Sequence, residues 1–527
     1  MKNLLFAVAA LTLAACATDE SARIGTAPAG ATVPGRADAE WATYNKDYLG
    51  HRFSPLKQIH TQNVGSLKEV CRVKLAELTS FHTGPVLVDG IMYVTTARDT
   101  FALDPRNCAV IWKATWEPED VMNPTTNRGV AYMDGRLFRG TNDGRIIALD
   151  AKTGKQLWKT VAADPKKAYY MSAAPIAWGG LVFMGTAGSD SGIRGRMMAY
   201  DAATGREVWR FNTIPMPGEP GYETWKSGVS ADTGGGGTWT SYALDVKTGE
   251  LFVPVANPAP DFNVAYRPGD NLFTNSLVVL DARTGKLKWW FQATPNDGYD
   301  YDLGAAPVLY TDAHGNEVVA LGSKDGYVYV VDRSTHKLRF KTPVTTINNS
   351  GAPTPEGVVA CPGTLGGVEW NGPAFDPERR ALYVGAVDWC SEFKSGEVKY
   401  VPGEAFSGGS KKQVGKANGW ITAIDAETGK VKWKYEAGSP VVAGVTPTAG
   451  GVVFTGDMAG NFLALDSASG KVLYTMPTGG AIAGGVITYS VGDRQYVATT
   501  SGNISRTSQS FSPLSLGTPS IIILAVQ

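Results

Sequence analysis

The stretch IIALDAKTGKQLWK, residues 146–159, recurs along this chain. MMAYDAATGREVWR (197–210), LVVLDARTGKLKWW (277–290) and ITAIDAETGKVKWK (421–434) repeat it almost position for position. FALDPRNCAVIWK (101–113), VYVVDRSTHKLRF (328–340) and FLALDSASGKVLY (462–474) repeat it more loosely. Each copy reads as an apolar strand, a turn built on Asp and Thr-Gly, and a second strand ending in an aromatic residue. Such units cannot bury their faces alone and are expected to pack radially as a β-propeller. The repeated aspartates are Asp104, Asp150, Asp201, Asp281, Asp332, Asp425 and Asp466, at intervals of 46, 51, 80, 51, 93 and 41 residues, so two blades carry insertions. Seven copies are visible. An eighth blade is expected from a strand near Trp41 together with the C-terminal stretch AIAGGVITYS…RQYVATT. Trp112, Trp158, Trp209, Trp289 and Trp433 stand at a fixed offset from the turn, which assigns them to wedging between blades and not to chemistry.

The 527 residues are 43% apolar with a formal net charge of zero, enough for a large core and without the basic excess that nucleic-acid binding requires. The 62 glycines, spread along the chain, fit many tight turns between short strands.

At the N-terminus Lys2 precedes an apolar run, Leu4 to Leu13, that is too short to span a bilayer. The run ends in Leu13-Ala14-Ala15-Cys16, which looks like a bacterial lipobox. The expected organisation is a lipoprotein signal peptide over 1–15, lipidation at Cys16, a flexible Ala-, Gly-, Thr- and Pro-rich tether over 16–39, and a propeller over 40–527. An ordinary cleaved signal with an incidental cysteine is the alternative. Either way the chain is exported, to the periplasm, and the lipid would be its only attachment to a membrane. Four further cysteines in an oxidising compartment suggest two disulfides, in sequence order Cys71–Cys108 and Cys361–Cys390. No CxxC zinc pattern and no CxxCH haem attachment occurs, so a redox reaction here needs another cofactor and a separate electron acceptor.

A second informative stretch is TPNDGYDYDLGAAP, 294–307, where Asp297, Asp300 and Asp302 stand without a Lys or Arg nearby in sequence. In extended chain Asp300 and Asp302 share a face, and two such charges need a counter-charge. A surface strand with solvated aspartates is the simpler explanation, above all for Asp297.

The repeat resembles that of the eight-bladed quinoproteins, the alcohol dehydrogenases dependent on pyrroloquinoline quinone (PQQ). WATYNKDYLGHRFSPLKQI (41–59) resembles that family's first strand and entry loop, and the resemblance runs from about Trp41 to Gly502. It implies an all-β fold, an eight-bladed β-propeller with quinoprotein-type tryptophan-docking repeats. A similar propeller serves as a non-catalytic lipoprotein scaffold in outer-membrane assembly, so the insertions must separate enzyme from protein-binding scaffold.

Four insertions match the enzymes. In GTAGSDSGIRG (185–195), Asp190 stands where the family typically has a metal-ligating Glu, with Gly188 and Ser189 beside it as cofactor contacts. In GGGGTWTSYALD (234–245), Trp239 matches the indole that stacks on the quinone, next to Thr238. In VANPAPDF (255–262), Asn257 matches the amide that ligates the metal. In GYDYD (298–302), Asp300 matches the catalytic base. Chemistry supports these roles. A flat tricarboxylated quinone needs an aromatic face and polar partners, and oxygen ligands from Asp190, Asn257 and Asp300 suit a hard cation such as calcium. Asp302 implies more, because family members with an Asp at that position are associated with lanthanides. A third carboxylate favours a trivalent ion, lanthanide(III), with calcium as the alternative. By the same resemblance Arg128, Lys324, Ser172, His82 and Glu369 face the cofactor.

Three departures bear on substrate. Met122 and Asn123 stand where many relatives have adjacent disulfide-bonded cysteines over the quinone, Asp190 is one methylene shorter than Glu, and Val442 replaces a tryptophan above the site. The expected activity is oxidation of an alcohol to an aldehyde or ketone, with electrons passed to a cytochrome c or similar acceptor.

Overall fold

Six of the repeated aspartates build one and the same turn. Asp150 Oδ1 accepts from the backbone N–H of Lys152 and Thr153 (3.1 and 2.8 Å) and from the Thr153 hydroxyl (2.7 Å). Asp201, Asp281, Asp332, Asp425 and Asp466 do the same with the residues two and three places on. A carboxylate that satisfies three donors locks the hairpin and so sets its register. The strand before each turn is buried on both faces, as in Arg145–Asp150, whereas the strand after it alternates, as in Gln156–Val161.

The structure is a computed structural model and describes residues 39–75, 79–123, 126–227, 229–349, 351–502, 510–511 and 517–527. Its described strands form eight antiparallel sheets, seven of four strands and one of five. The first runs from Val86–Val88 to Val110–Thr115, the second from Ala131–Met133 to Gln156–Val161, and the third from Ile176–Trp178 to Glu207–Asn212. The fourth (Ala243–Asp245 to Leu287–Gln292), fifth (Val308–Thr311 to Leu338–Pro343), sixth (Val358–Ala360 to Val431–Glu436) and seventh (Thr446–Pro447 to Val472–Pro477) follow in chain order.

The aromatic residues dock each sheet on the next. Trp112 Nε1 donates to Ala151 O (3.1 Å), Trp158 to Ala202 O (3.0 Å), Trp209 to Ala282 O (2.9 Å) and Trp433 to Ser467 O (3.0 Å). Each ring lies flat over the turn glycine of the neighbouring sheet. A Cβ on Gly154, Gly205, Gly285 or Gly470 would come within 2.5–2.6 Å of ring atoms, and all four have φ between +70° and +74°. Two docks vary. Trp289 stacks on His336, which takes the glycine position (centroids 4.6 Å apart), and Phe340 replaces tryptophan over Gly429.

The eighth sheet corrects the expected closure. Its strands are Val486–Val491, Arg494–Ser501, Ser520–Val526 and, as the outer strand, Leu67–Lys74. Trp41 instead makes an isolated bridge to Leu87 of the first sheet, where its buried indole joins the core. The C-terminal stretch contributes as expected, with Ser520–Val526 in addition. Ring closure is covalent. Cys71 pairs opposite Ile523 just past a bulge, as Trp158 does opposite Ala148, and Cys108 (φ +61°) holds the turn-glycine position of the first sheet. The Cys71–Cys108 disulfide (Cα–Cα 5.9 Å) therefore stands where five of the other junctions have a ring over a glycine. Cys361–Cys390 (Cα–Cα 4.4 Å) ties the end of the Val358–Ala360 strand to the long hairpin of the same sheet, Ala381–Ser395 and Gly409–Asp425. Both pairings are those expected.

Residues 1–38, with the expected signal peptide, Cys16 and all but the last residue of the tether, lie outside the described residues. Among the described residues no helix is long and apolar enough to cross a membrane.

Antiparallel strands place the Asp–Thr–Gly turns at one end of the ring. The loops between second and third strands, and the links between sheets, then lie at the other end. Every candidate residue sits in one of these loops or links, and the two long intervals, 201–281 and 332–425, supply much of them.

Candidate functional site

Trp239 forms one wall of the site. It packs against an apolar cluster containing Trp370, Trp389, Val442 and Met458, with Leu365 and Phe511 alongside. The Arg128 guanidinium lies between two indoles, 4.5 Å from the Trp239 ring and 5.6 Å from that of Trp370. Arg128 also donates to Trp239 O (2.9 Å) and Ser172 Oγ (3.2 Å), and Ser172 Oγ donates to Trp239 O (3.1 Å). Burial lowers the Arg128 pKa to about 10. His82 stacks on Trp370 with centroids 4.4 Å apart, and burial, then Arg128, hold it well below the usual histidine range. His82 is therefore neutral, a flat extension of the aromatic wall.

The carboxylate loop packs against the Trp239 indole, where a Cβ on Gly304 would lie 2.7 Å from the ring. Asp300 adopts φ +61°, a left-handed conformation that Asp and Asn tolerate better than other non-glycine residues. The loop is pinned from below by Asp297, which accepts from the N–H of Tyr299 (2.9 Å) and Tyr301 (2.8 Å) and from Asn275 Nδ2 (3.2 Å). Asp297 is thus not the solvated surface residue that the sequence suggested; at 3% exposure it is a buried fastener. The counter-charges come from distant segments. Lys324 Nζ stands 2.7 Å from Asp302 Oδ2 and 3.6 Å from Asp300 Oδ1, and Lys411 Nζ stands 3.6 Å from Asp300 Oδ2. Burial pushes the Asp300 carboxyl well above the usual carboxylate range; Lys324 and Lys411 pull it back, while Asp190 and Asp302 add to the rise. Burial opposes the charge of Lys324, but Asp300, Asp302 and Glu369 outweigh it and raise its pKa well above the usual range.

Asn257 N donates to Asp302 Oδ1 (2.8 Å), so both oxygens of Asp302 are engaged. The Asn257 amide nitrogen donates to Asp261 Oδ1 (3.0 Å) and Pro258 O (3.3 Å), while its Oδ1, in a residue 1% exposed, has no hydrogen-bond partner. Asp190 lies at the exposed rim, with its carbonyl accepting from Phe406 N (2.6 Å). Among the described residues no three His, Cys, Asp or Glu side chains converge as a ready-made metal cluster. Asn257, Asp300 and Asp302 are brought together; Asp190 is within electrostatic reach of Asp300 but outside that group.

The remaining candidates frame the pocket. Ser189 Oγ accepts from Gly237 N (2.8 Å), which holds the Asp190 turn against the strand leading to Trp239. Gly188 (φ +121°) leaves no room for a Cβ, which would meet Ala168 O at 2.3 Å. Thr238 Oγ1 and Glu369 Oε1 are buried without partners, as is Arg128 Nε. Burial first, then Asp302 against the pull of Lys324 and Arg128, raises the Glu369 pKa to about 7. Asn123, in place of a relative's cysteine, is used structurally, donating to Pro165 O (2.7 Å).

Sequence reading missed Asp261, Trp370 and Lys411. Trp370 carried a faint signal, since it adjoins Glu369; Lys411, in a lysine-rich stretch of the hairpin, carried none. The orphaned polar atoms of Arg128, Thr238, Asn257 and Glu369 sit on the segments that frame the two indoles, with three cations nearby. Buried polar groups are rarely left unpaired, and these could line a site for a flat, anionic, hydrogen-bonding ligand. The oxygen-only donors beside it suit a hard cation.

These features are those of a cofactor-dependent redox enzyme built on a propeller. By sequence the chain belongs to the PQQ-dependent alcohol dehydrogenase family: residues 41–354 match the model described as glucose/ethanol/alcohol dehydrogenase, beta-propeller domain. Residues 385–510 match a model described as outer membrane protein assembly factor BamB. The chain is 31% identical over 511 residues to the quinohemoprotein alcohol dehydrogenase ADH IIB of Pseudomonas putida, covering 89% of this chain and 74% of that protein. It is 32% identical over 522 residues to the lanthanide-dependent methanol dehydrogenase of Methylacidiphilum fumariolicum, covering 88% and 84%. A solved europium-containing methanol dehydrogenase superposes with a TM-score of 0.85 at 29% identity, over 93% of this chain and 98% of that one. The quinohemoprotein alcohol dehydrogenase of Comamonas testosteroni gives 0.84 at 28% identity, over 93% and 80%. BamB of Moraxella catarrhalis, at 0.50 and 15% identity over 87% and 99%, shares the fold alone. The chain is an oxidoreductase of the quinoprotein class, and the scaffold reading falls away.

Proposed function

We propose that this chain is an exported, lipid-tethered dehydrogenase that uses PQQ to oxidise an alcohol to an aldehyde or ketone, with Asp300 as the base and electrons passing to a separate acceptor such as a cytochrome c. The observation that carries this reading is the conjunction at one end of the ring of the indole-walled pocket, its four orphaned polar atoms, and a buried Asp300 between two lysines. PQQ, when bound, supplies a two-electron acceptor. Trp239 offers it a planar face, and Arg128, Thr238, Lys324 and Glu369 offer hydrogen bonds and charge. Asp300 would take the hydroxyl proton as general base. Val442, Trp389 and Met458 present an apolar wall to the carbon chain, and a cavity of about 380 Å³ lined by Trp389, Lys416, Pro440 and Phe511 adjoins them.

A metal ion, when bound, supplies Lewis acidity, and Asn257 Oδ1, Asp300 and Asp190 would hold it. Asp302 can join only if Lys324 releases it. Four carboxylates (Asp190, Asp261, Asp300, Asp302) face Lys324, Lys411, Arg128 and Arg267, so the cofactor's own carboxylates would leave an excess of negative charge. A trivalent lanthanide offsets that excess better than calcium, which is the alternative. The two disulfides support an oxidising compartment, and Cys16 is the proposed point of lipid attachment. Titration of the apo-protein with PQQ and either lanthanum or calcium, then dye reduction across a panel of alcohols, tests the proposal. No dye reduction with any alcohol, despite PQQ binding, would overturn it.

A further inference from the structure

Asn257 presents its carbonyl to the pocket because something else holds its amide. A primary amide can point either end at a neighbour, but a carboxylate oxygen accepts and cannot donate, so Asp261 selects the NH2 end. Asp261 Oδ1 takes one amide hydrogen (3.0 Å) and Pro258 O the other (3.3 Å). The amide is thereby fixed, and the buried Oδ1 is left without a partner. Asp261 itself is 4% exposed and cannot drift, because its loop is clamped by one fully buried arginine. Arg267 donates to Pro260 O (2.9 Å), to Asp261 O (3.0 Å) and to the carbonyl of Asp297, in the loop that carries Asp300. The two loops therefore move as one body. Phe262 N donates to Ser407 O (2.8 Å) and Phe406 N to Asp190 O (2.6 Å), so the connection between the two long strands of the sixth sheet seats on both the Asp261 loop and the Asp190 turn.

We propose that Asp261 is a positioning residue of the metal site, orienting Asn257 Oδ1 toward the ion and adding a buried negative charge that favours a trivalent ion. The inference rests on the metal site proposed above. The orienting contact and the charge are separable. Asp261→Asn keeps an acceptor for Asn257 and loses the charge; Asp261→Ala loses both. Hydrogen-bond partners that orient metal ligands are typically worth 10–100-fold in affinity.

The test uses the full chain reconstituted with PQQ. Terbium(III) is titrated with its tryptophan-sensitised luminescence as the readout, and calcium is measured by competition. Asp261→Ala is expected to weaken both ions by about 10–100-fold. Asp261→Asn is expected to leave calcium within a few-fold of wild type and to weaken terbium more. Asn257→Ala is the control. If Asn257→Ala loses affinity while both Asp261 variants bind as wild type, Asp261 is not a positioning residue and the inference falls alone. If wild type and Asn257→Ala bind terbium equally, the proposed metal site is wrong and the inference falls with it.

Discussion

Replacing Asp300 by Asn removes one charge and almost no volume, and the local backbone favours the exchange. Asn is among the residues that best tolerate φ near +60°, so the loop over Asp297 should keep its shape. Stability should change little. The variant loses its pairing to Lys324 and Lys411, both at 3.6 Å, but escapes the desolvation of a fully buried carboxylate. An amide has no basicity, so the whole general-base contribution is lost. That contribution is typically about 10²–10⁴-fold, or about 2.7–5.5 kcal/mol of barrier. The expected loss in kcat/KM is therefore about 10²–10⁴-fold. Steady-state dye reduction with the best alcohol gives the rate, and quenching of tryptophan fluorescence gives PQQ affinity in the same samples. A variant that binds PQQ as wild type and turns over within tenfold of it would remove Asp300 from the mechanism.

Three further outcomes are expected. Wild-type protein should bind lanthanum more tightly than calcium, and Asp302→Ala should narrow that ratio while retaining a base; wild-type activity that saturates in calcium and ignores lanthanum would make Asp302 a partner of Lys324 alone. Glu369 is neutral below its pKa of about 7 and anionic above it, so PQQ affinity should weaken as pH rises through 7, as a like charge appears beside the cofactor's carboxylates; Glu369→Gln should flatten that profile, and an unchanged profile would place the titration elsewhere. The double variant Cys71→Ala, Cys108→Ala opens a link spanning 37 residues, worth about 4 kcal/mol in the chain-entropy account. With unfolding entropy of about 2 cal/mol/K per residue, Tm should fall by about 4 °C in calorimetry. A shift below about 1 °C would mean that the ring closes as well without the staple.

The repeat was legible because its physics is local. An aspartate capping the N–H groups two and three residues on, a glycine at positive φ and an aromatic at fixed offset all lie within fifteen residues, and together they specify a hairpin and the dock that holds it to the next. The eighth sheet was legible only in its two inner strands, because the outer two come from opposite ends of the chain and carry no Asp–Thr–Gly turn. Its outer strand LKEVCRVK, largely exposed, has too weak an apolar pattern to distinguish it from a loop. The disulfide partners were readable by count, though not that Cys71 and Cys108 replace a ring and a glycine at the closing junction.

The site divides in the same way. Asp300, Trp239 and Asn257 were visible because each sits in a segment that resembles the quinoprotein dehydrogenases. What neutralises the carboxylates was not. Lys324 is 22 residues from Asp302 and Lys411 is 111 from Asp300, and only the folding of the fifth sheet and the packing of the sixth-sheet hairpin against it bring them within reach. Asp297 looked solvated because its partners, Asn275 and the backbone of its own turn, become donors to it only once the fourth sheet is formed and the loop is buried. The sequence by itself determined the repeating unit, the propeller and the residue types of the site. Tertiary structure alone decided which charges meet, which face water and which stay unpaired, because those depend on burial and on distances between segments that no local pattern encodes.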